Sequence, residues 1–317
     1  MSLPIPVNPY SYPMIDTLNS AATLAQHPST TRSVISHGER IYFQLAGTGE
    51  PLYFLGGGPG LSPAYMLPLV EALSSHHTCV LIHQRGSGLS EIPIRPDTVQ
   101  LDYFIDDIKA VALALEHEHL SLAGHSWGGM LSMIYATRHP HQVEKLLLIG
   151  SGGTDMAYLN YFTDNLYSNL SLEDQHFFRT IYAEIAQLAQ HPDSAIVPEE
   201  LLSLSLQLSN LLLKGYFYDK QMAASIVLTE TDLNLMVKDY VETALVAAKW
   251  NINTALAGLN VPTLIVQGRQ DPMDLETASR TQAALKNSTL HIIERCGHFP
   301  WIEQPEEFYR VTSGFLP

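Results

Sequence analysis

The chain has 317 residues, of which 46% are hydrophobic, and its formal net charge is −15. This length suits one large globular domain or two of ordinary size, and no apolar run approaches the ~18 residues of a membrane-spanning helix. The acidic balance disfavours nucleic acid and anionic membranes as partners, because phosphate contacts require clustered lysine and arginine. We therefore expect no nucleic-acid partner and no membrane partner.

The first thirty residues are rich in Pro, Ser, Thr and Asn and have no basic start followed by an apolar stretch. This composition argues against a secretory signal, and residues 1–30 are expected to form a loosely ordered N-terminal arm. The chain has two cysteines, Cys79 and Cys296. One disulfide is conceivable, but two reduced thiols in a cytoplasmic protein are the preferred interpretation.

From Glu39 onwards the sequence alternates between strand and helix patterns. Continuous apolar runs indicate buried parallel strands, and their alternation with helical stretches predicts an α/β fold with right-handed crossovers. The predicted strands cover residues 40–45, 51–55, 79–82, 120–123, 145–149, 263–266 and 289–293. We therefore expect a mostly parallel sheet flanked by helices.

The alternation stops between residues 153 and 258, where helices are predicted over residues 175–190, 198–213 and 232–250. Pro198 followed by two glutamates is a favourable helix start. An all-helical insertion here would lie over the strand ends, where open α/β sheets place catalytic sites, and it would select the substrate and exclude water. The predicted organisation is an arm over residues 1–30, a core of residues 31–152 and 259–317, and a helical cap over residues 153–258.

The most informative motif is Gly124-His125-Ser126-Trp127-Gly128, which follows the strand predicted at residues 120–123. A strand that runs into Gly-x-Ser-x-Gly and then a helix is the nucleophile elbow of a serine hydrolase. The turn is sharp and strains the serine backbone, so small residues are needed two positions before and after it. Ser126 is therefore the predicted nucleophile. The alternative is a glycine-rich strand–helix turn with an idle serine.

A serine nucleophile requires a base and a carboxylate that orients the base. In this fold the chain order is serine, acid, histidine. Asp271 follows the strand predicted at residues 263–266, and His298 follows the strand predicted at residues 289–293. We therefore predict His298 as the base and Asp271 as its acid, with Asp274 as the fallback acid. The alternative for His298 is an ordinary loop histidine.

The other histidines are weaker candidates. His125 lies inside the elbow and is predicted to be packed. Glu116-His117-Glu118-His119 lacks the His-Glu-x-x-His spacing that places two metal ligands on one helix face, so a solvated helix terminus is predicted there. The sequence predicts no metal site and no cofactor.

Acyl transfer also requires hydrogen-bond donors for an oxyanion. One is expected from the backbone N–H of Trp127, and the other from Gly58 in the loop Gly56-Gly57-Gly58-Pro59-Gly60, because glycines allow a close backbone approach. A phosphate-binding loop does not fit, since no Gly-Lys-Ser/Thr follows and no Gly-x-Gly-x-x-Gly can be placed on these glycines. Gly86 and Gly88, in a further glycine-rich turn, are interpreted as structural.

Five motifs occur along the chain in one order: Gly57-Gly58-Pro59-Gly60, Gln84-Arg85-Gly86-Ser87-Gly88, Gly124-His125-Ser126-Trp127-Gly128-Gly129, Gly268-Arg269-Gln270-Asp271 and Gly297-His298-Phe299. Together they resemble the α/β-hydrolase superfamily and, within it, the proline iminopeptidase (prolyl aminopeptidase) family. The resemblance covers about residues 39–150 and 260–317. It implies a cofactor-independent serine hydrolase whose cap carries a glutamate for the substrate's free amine, with Glu230 and Glu242 as the candidates.

Three hypotheses are compatible with these patterns. The first is a hydrolase that releases an N-terminal residue from small peptides through an acyl-enzyme. The second is the same machinery acting on a small ester, lactone or amide without a free amine. The third is a non-catalytic ligand receptor, which a complete triad disfavours. The sequence leaves the oligomeric state open, and a small molecule or a short peptide is the expected substrate.

Overall fold

The computed structural model describes residues 29–188 and 199–316. The predicted arm over residues 1–30 lies almost wholly outside the described residues, as do Pro198 and the end of the helix predicted over residues 175–190. Eight strands form one sheet: β1 (Thr30–Ser36), β2 (Glu39–Ala46), β3 (Glu50–Leu55), β4 (His77–Ile82), β5 (Leu120–His125), β6 (Val143–Ile149), β7 (Thr263–Gly268) and β8 (Ser288–Ile293).

The strands lie in the order β1-β2-β4-β3-β5-β6-β7-β8. All neighbouring pairs from β4 to β8 are parallel, whereas β2 runs antiparallel to β4 and to β1. The mostly parallel sheet of the sequence prediction is therefore confirmed. The edge strand β1 was not predicted, because its residues are mainly polar and exposed and carry no apolar run.

Helices lie on both faces of the sheet and between β6 and β7. In chain order they are α1 (Leu67–Leu73), α2 (Leu101–Ala114), α3 (Trp127–Arg138), α4 (Phe162–Ser168), α5 (Leu172–Leu188), α6 (Glu199–Tyr216), α7 (Leu235–Ala247), α8 (Asn253–Leu256), α9 (Leu275–Ala284), α10 (Pro300–Glu303) and α11 (Pro305–Phe315). Short 3-10 turns cover Pro63–Met66, Met156–Asn160 and Lys220–Ser225. Among the described residues, no helix has the length and apolar character needed to cross a membrane.

The core consists of two apolar layers, one on each face of the sheet. Successive residues of β3 show this arrangement, since Leu52 and Phe54 belong to one layer and Tyr53 and Leu55 to the other. Side chains of a strand alternate between faces, so a strand covered on both faces must be apolar throughout. This is why interior strands such as β3 contain short apolar runs.

The stretch between β6 and β7 contains no strand among its described residues and is built mainly of helices α4 to α8. Helices α5, α6 and α7 correspond to the three that the sequence predicts. A short antiparallel bridge between Leu61 and Leu233 joins this stretch to the loop after β3. In the same contact Ser62 N–H donates to Asp232 O at 2.7 Å, and Asn234 N–H donates to Gly60 O at 2.8 Å. The division into core and cap stays a prediction.

Both cysteines are buried free thiols. Cys79 lies in β4 and Cys296 in the loop after β8. Burial raises the pKa of both thiols, that of Cys79 to about 12, so each stays protonated at neutral pH and is a poor nucleophile. Neither thiol is paired in this structure, and the prediction of reduced thiols stays a prediction.

Candidate active site

Ser126 lies at the sharp turn from β5 into α3. Its backbone has φ 55° and ψ −118°, a region that non-glycine residues rarely adopt and that stores strain. The turn brings Gly128 against the backbone oxygen of Leu55 so closely that a Cβ at position 128 would overlap it. A Cβ at Gly124 would in turn overlap the backbone oxygen of Gly128. The two glycines are therefore required by the tight passage from strand to helix.

His298 and Asp271 form a buried pair in the loops after β8 and β7. Their side chains are 3% and 0% exposed, and His298 Nδ1 lies 2.8 Å from Asp271 Oδ2. The other carboxylate oxygen, Oδ1, accepts a hydrogen bond from Met273 N–H at 2.8 Å. Because the ionised carboxylate only accepts, Nδ1 must carry the proton, and Nε2 is left as the basic nitrogen.

Asp274, the fallback acid, has a different role in the structure. Its Oδ1 accepts a hydrogen bond from Glu276 N–H at 2.7 Å and thereby caps the first turn of α9. Asp271, and not Asp274, is therefore the residue that pairs with His298.

The elbow and the base lie side by side. The ring of His125, the residue before Ser126, is 4.4 Å from the ring of His298 between centroids. Within the described residues the Ser126 hydroxyl forms no hydrogen bond. The contact through which His298 would take its proton is thus not made in this structure. Catalytic hydrogen bonds of this kind are often long without substrate and tighten in the Michaelis complex.

Two backbone N–H groups beside Ser126 are available to an oxyanion. Gly57 N–H is already used, since it donates to the Tyr65 hydroxyl at 2.6 Å. By contrast, the N–H groups of Gly58 and Trp127 have no acceptor among the described residues. A Cβ at Gly57 would lie 3.1 Å from Ser126 Cβ, so the glycine loop passes directly against Ser126. Gly58 and Trp127 therefore stay the predicted oxyanion donors.

Glu303 holds the loop that carries His298, and sequence reasoning missed it. Its Oε1 accepts from Gly297 N–H at 2.9 Å, on one side of His298, and its Oε2 accepts from Tyr218 N–H at 2.7 Å, after α6. Burial raises the pKa of this carboxyl to about 7, although the backbone donors oppose the shift. A glutamate shortly after the base, at the start of a Pro-initiated helix, is the only sequence signal for it.

Tyr216, at the end of α6, was also missed. Its ring lies 5.0 Å from the His298 ring, and its backbone oxygen accepts from His298 N–H at 2.7 Å. Burial, reinforced by the charges of Asp271 and Glu242, raises the pKa of its phenol. The stretch between β6 and β7 thus covers the base directly with an aromatic side chain.

The two glutamates nominated for amine binding lie in different surroundings. Glu230 is exposed in the loop before α7. Glu242 lies on α7 with its side chain 24% exposed, and its charge raises the pKa of Tyr158 and Tyr216. Lys238 Nζ lies 2.5 Å from Glu242 Oε2, so this carboxylate already has a cationic partner.

The turn after β4 is anchored by a buried ion pair, and the structural interpretation of Gly86 and Gly88 stays a prediction. Arg85 is fully buried and pairs with Asp107, with Nη2–Oδ1 at 2.5 Å and Nε–Oδ2 at 2.8 Å. A Cβ at Gly86 would come within 2.6 Å of a methyl group of Val237 on α7, so this turn also supports the helical stretch. Within the described ranges, no group of three His, Cys, Asp or Glu side chains is arranged to hold a metal ion.

Comparison with known proteins agrees with this fold. The sequence profile of the alpha/beta hydrolase fold family matches residues 50–305. The proline iminopeptidase of Heyndrickxia coagulans is 27% identical over 284 residues, which cover 88% of this chain and 96% of that protein. The 2-hydroxy-6-oxo-2,4-heptadienoate hydrolase of Pseudomonas putida is 28% identical over 291 residues, which cover 90% and 95%.

A solved structure shows the same fold. The proline iminopeptidase of Mycobacterium smegmatis superposes with a TM-score of 0.63 at 22% identity, covering 90% of this chain and 97% of that one. The chain therefore belongs to the α/β hydrolase fold family. Its relatives at similar identity include a proline iminopeptidase, a 2-hydroxymuconate semialdehyde hydrolase and a 2-hydroxy-6-oxo-2,4-heptadienoate hydrolase, so the family alone does not determine the substrate.

Proposed function

We propose that this protein is a serine hydrolase that works through an acyl-enzyme on Ser126. The observation that carries the proposal is the buried His298–Asp271 pair, which leaves Nε2 of His298 as the basic nitrogen beside the strained elbow. Ser126 Oγ would attack the substrate carbonyl and pass its proton to Nε2. The oxyanion would accept hydrogen bonds from Gly58 and Trp127 N–H, and the leaving group would then take the proton from His298.

Hydrolysis of the acyl-enzyme would reverse these roles. A water molecule would give a proton to His298 Nε2 and attack the ester carbon, and the second oxyanion would use the same two N–H groups. When this intermediate collapses, Ser126 Oγ would leave the carbonyl carbon and take the proton back from His298, which releases the acid. Asp271 would stabilise the imidazolium in both halves without itself taking the proton. Besides groups of the chain and the substrate, this scheme requires one water molecule.

For the substrate, we infer a short peptide with a free N-terminal amine. An iminopeptidase is among the relatives that match over most of both chains, and the charge of Glu242 acts on Tyr216, which packs on His298. An ammonium group in this position would donate to the glutamate and would not be buried unpaired. The acidic balance of residues 151–260 would favour the approach of such a cation.

An uncharged acyl substrate is the second candidate, and the Lys238–Glu242 ion pair favours it. Because Lys238 Nζ already neutralises the Glu242 carboxylate at 2.5 Å, Glu242 would bind an ammonium group less strongly. A small ester, lactone or amide would then use the same nucleophile and donors.

Labelling with a fluorophosphonate probe tests the nucleophile. The wild-type protein should be labelled on Ser126, and Ser126→Ala should not react. Ser121→Ala, which removes a hydroxyl from the same strand β5, is the matched control and should be labelled normally. An unlabelled wild-type protein would refute the serine mechanism and support a non-catalytic ligand receptor.

The substrate class is tested with matched pairs of amino-acid arylamides, free and N-acetylated, beside p-nitrophenyl acetate. Under the peptide proposal only the free-amine arylamide is a good substrate, and Glu242→Gln raises its KM without changing hydrolysis of the acetate ester. Glu230→Gln is the matched control, because this side chain is exposed on the loop before α7. Equal cleavage of both arylamides would favour the uncharged acyl substrate.

A further inference from the structure

The side chains on either side of Ser126 are each joined to the glycine loop by one buried residue. We propose that Gln84 and Tyr65 are positioning residues of the oxyanion site, a proposal that rests on the function proposed above. Gln84 joins the loop to Trp127, and Tyr65 joins it to His125. Together they hold the segment that carries Gly58 against the turn that carries the nucleophile, and we call this pair the loop clamp.

Gln84 uses both ends of its amide. Its Nε2 donates to Gly56 O at 2.8 Å, and its Oε1 accepts from the indole Nε1–H of Trp127 at 2.9 Å. Gln84 and Trp127 are 5% and 3% exposed, so neither bond is readily exchanged for one to water. Glutamine is the neutral residue that can donate at one end and accept at the other over this distance.

Tyr65 makes the corresponding connection on the other side of Ser126. Its hydroxyl accepts from Gly57 N–H at 2.6 Å and lies 2.7 Å from His125 Nδ1. The other ring nitrogen of His125, Nε2, lies 3.0 Å from the backbone oxygen of His298. A carbonyl oxygen can only accept, so Nε2 carries the proton of the neutral ring and Nδ1 must accept from the Tyr65 hydroxyl.

The donor and the acceptor of each hydrogen bond in this series are therefore determined. Gly57 N–H donates to Tyr65, Tyr65 O–H donates to His125, and His125 N–H donates to the backbone of His298. Burial, with the nearby charge of His298, holds the pKa of His125 well below its usual range and keeps the ring neutral. Tyr65 thus links the glycine loop, the elbow and the base loop.

The clamp matters because the two free N–H donors belong to separate segments. Gly58 lies in the loop after β3, whereas Trp127 begins α3, and the bonds of Gln84 and Tyr65 cross between them. Oxyanion stabilisation requires donors that are already in place before charge develops, because the free energy of reorganising them would offset the stabilisation that they provide. Loosening the loop should therefore reduce the stabilisation of the transition state and leave substrate binding largely intact.

Gln84→Met and Tyr65→Phe remove the polar contacts with little change in shape. With p-nitrophenyl acetate, each should lower kcat by about 10- to 100-fold with nearly unchanged KM, as expected for a small displacement of catalytic groups. An alkyl trifluoromethyl ketone, whose adduct with Ser126 carries an oxyanion, should lose affinity by a similar factor. The matching alkyl methyl ketone should bind as tightly as before.

Tyr53→Phe is the matched control for Tyr65→Phe. Tyr53 is a buried tyrosine whose hydroxyl lies 2.8 Å from His117 Nδ1, and it packs in the apolar layer on the opposite face of the sheet from Tyr65. Gln142→Met controls for Gln84→Met, since Gln142 Oε1 accepts from a tyrosine hydroxyl near the end of α3. Both controls should keep wild-type kcat and wild-type affinity for the trifluoromethyl ketone.

The outcomes separate this proposal from the proposed function. A wild-type protein that neither hydrolyses the ester nor binds the trifluoromethyl ketone would refute the serine mechanism and the clamp with it. An active wild type with unchanged kcat and ketone affinity in folded Gln84→Met and Tyr65→Phe would overturn the clamp alone. If Gln84→Met does not fold, Tyr65→Phe, which deletes one oxygen atom, carries the test.

Discussion

Asp271→Asn is the most informative single substitution, because the structure determines how the new amide would be oriented. Asp271 Oδ1 accepts from Met273 N–H, and Oδ2 faces His298 Nδ1. An asparagine can accept only through its oxygen, which would therefore stay at the Oδ1 position against Met273. Its NH2 group would then point at His298 Nδ1 and turn that nitrogen into an acceptor.

This orientation favours the wrong tautomer of His298, with the proton on Nε2. Restoring the active tautomer would bring two N–H donors face to face in a buried site, and each unpaired donor costs about 1–3 kcal/mol. The resulting 2–6 kcal/mol corresponds to a decrease in kcat of roughly 30-fold to 3 × 10⁴-fold. The nucleophile and the two oxyanion donors are unaffected, so KM should change little.

The assay is steady-state hydrolysis of p-nitrophenyl acetate, with circular dichroism to establish that the variant is folded. Asp274→Asn is the matched control: it makes the same chemical change three residues away, and asparagine preserves both the helix cap and the positive φ of 69°. It should keep wild-type activity. Near wild-type kcat in Asp271→Asn, or an equal loss in Asp274→Asn, would refute the tautomer reasoning.

Three further predictions follow from the same geometry. Ser126→Ala and His298→Ala should each lower kcat by several orders of magnitude, up to roughly 10⁶, and the double variant should be little worse; additive losses would show that they do not act as a pair. Gly128→Ala should lower the free energy of unfolding by about 1–3 kcal/mol by overpacking against β3, whereas Gly314→Ala, whose Cβ meets nothing within 4 Å, should not. The folded pKa of Glu303, about 7, lies above the usual 4.5, so its stabilising contribution is complete below pH 4.5 and is lost as the pH rises through 7. Glu303→Gln should remove this loss of about 3 kcal/mol, measured by urea unfolding at about pH 5 and pH 8; an unchanged difference between the two pH values would contradict the assignment.

The sequence predicts most of this fold because both faces of the sheet are covered. A strand buried on both faces must be apolar throughout, so β3 and β5 are visible as short apolar runs. Strand β1 cannot be predicted in this way, because it is an exposed edge strand that pairs with β2 through its backbone. The short helix α4 was missed as well, since its seven residues bury one side chain and give no clear periodicity.

In the candidate site, too, some residues can be predicted from the sequence and others cannot. Ser126, Asp271 and His298 occupy turns with a strong local signature, so sequence spacing is sufficient to nominate them. Tyr65 and Glu303 act through contacts between segments that are distant along the chain, and no local pattern records such contacts. Glu242 is intermediate: the sequence nominates it as an acid, but its pairing with Lys238 depends on both residues facing the same side of α7.

The loop that carries Gly58 is held on two sides, and this has a consequence for specificity. On one side the clamp joins it to the elbow, and on the other the backbone bonds of residues 60–62 to residues 232–234 join it to the start of α7. A Cβ at Gly60 would overlap the backbone oxygen of Asn234, so these segments are already in close contact. Substitutions that shift α7 to fit another substrate would therefore also move Gly58, which we propose as an oxyanion donor. In this arrangement the segment that would select the substrate and the loop that would stabilise the transition state cannot change independently, because a few backbone hydrogen bonds connect them.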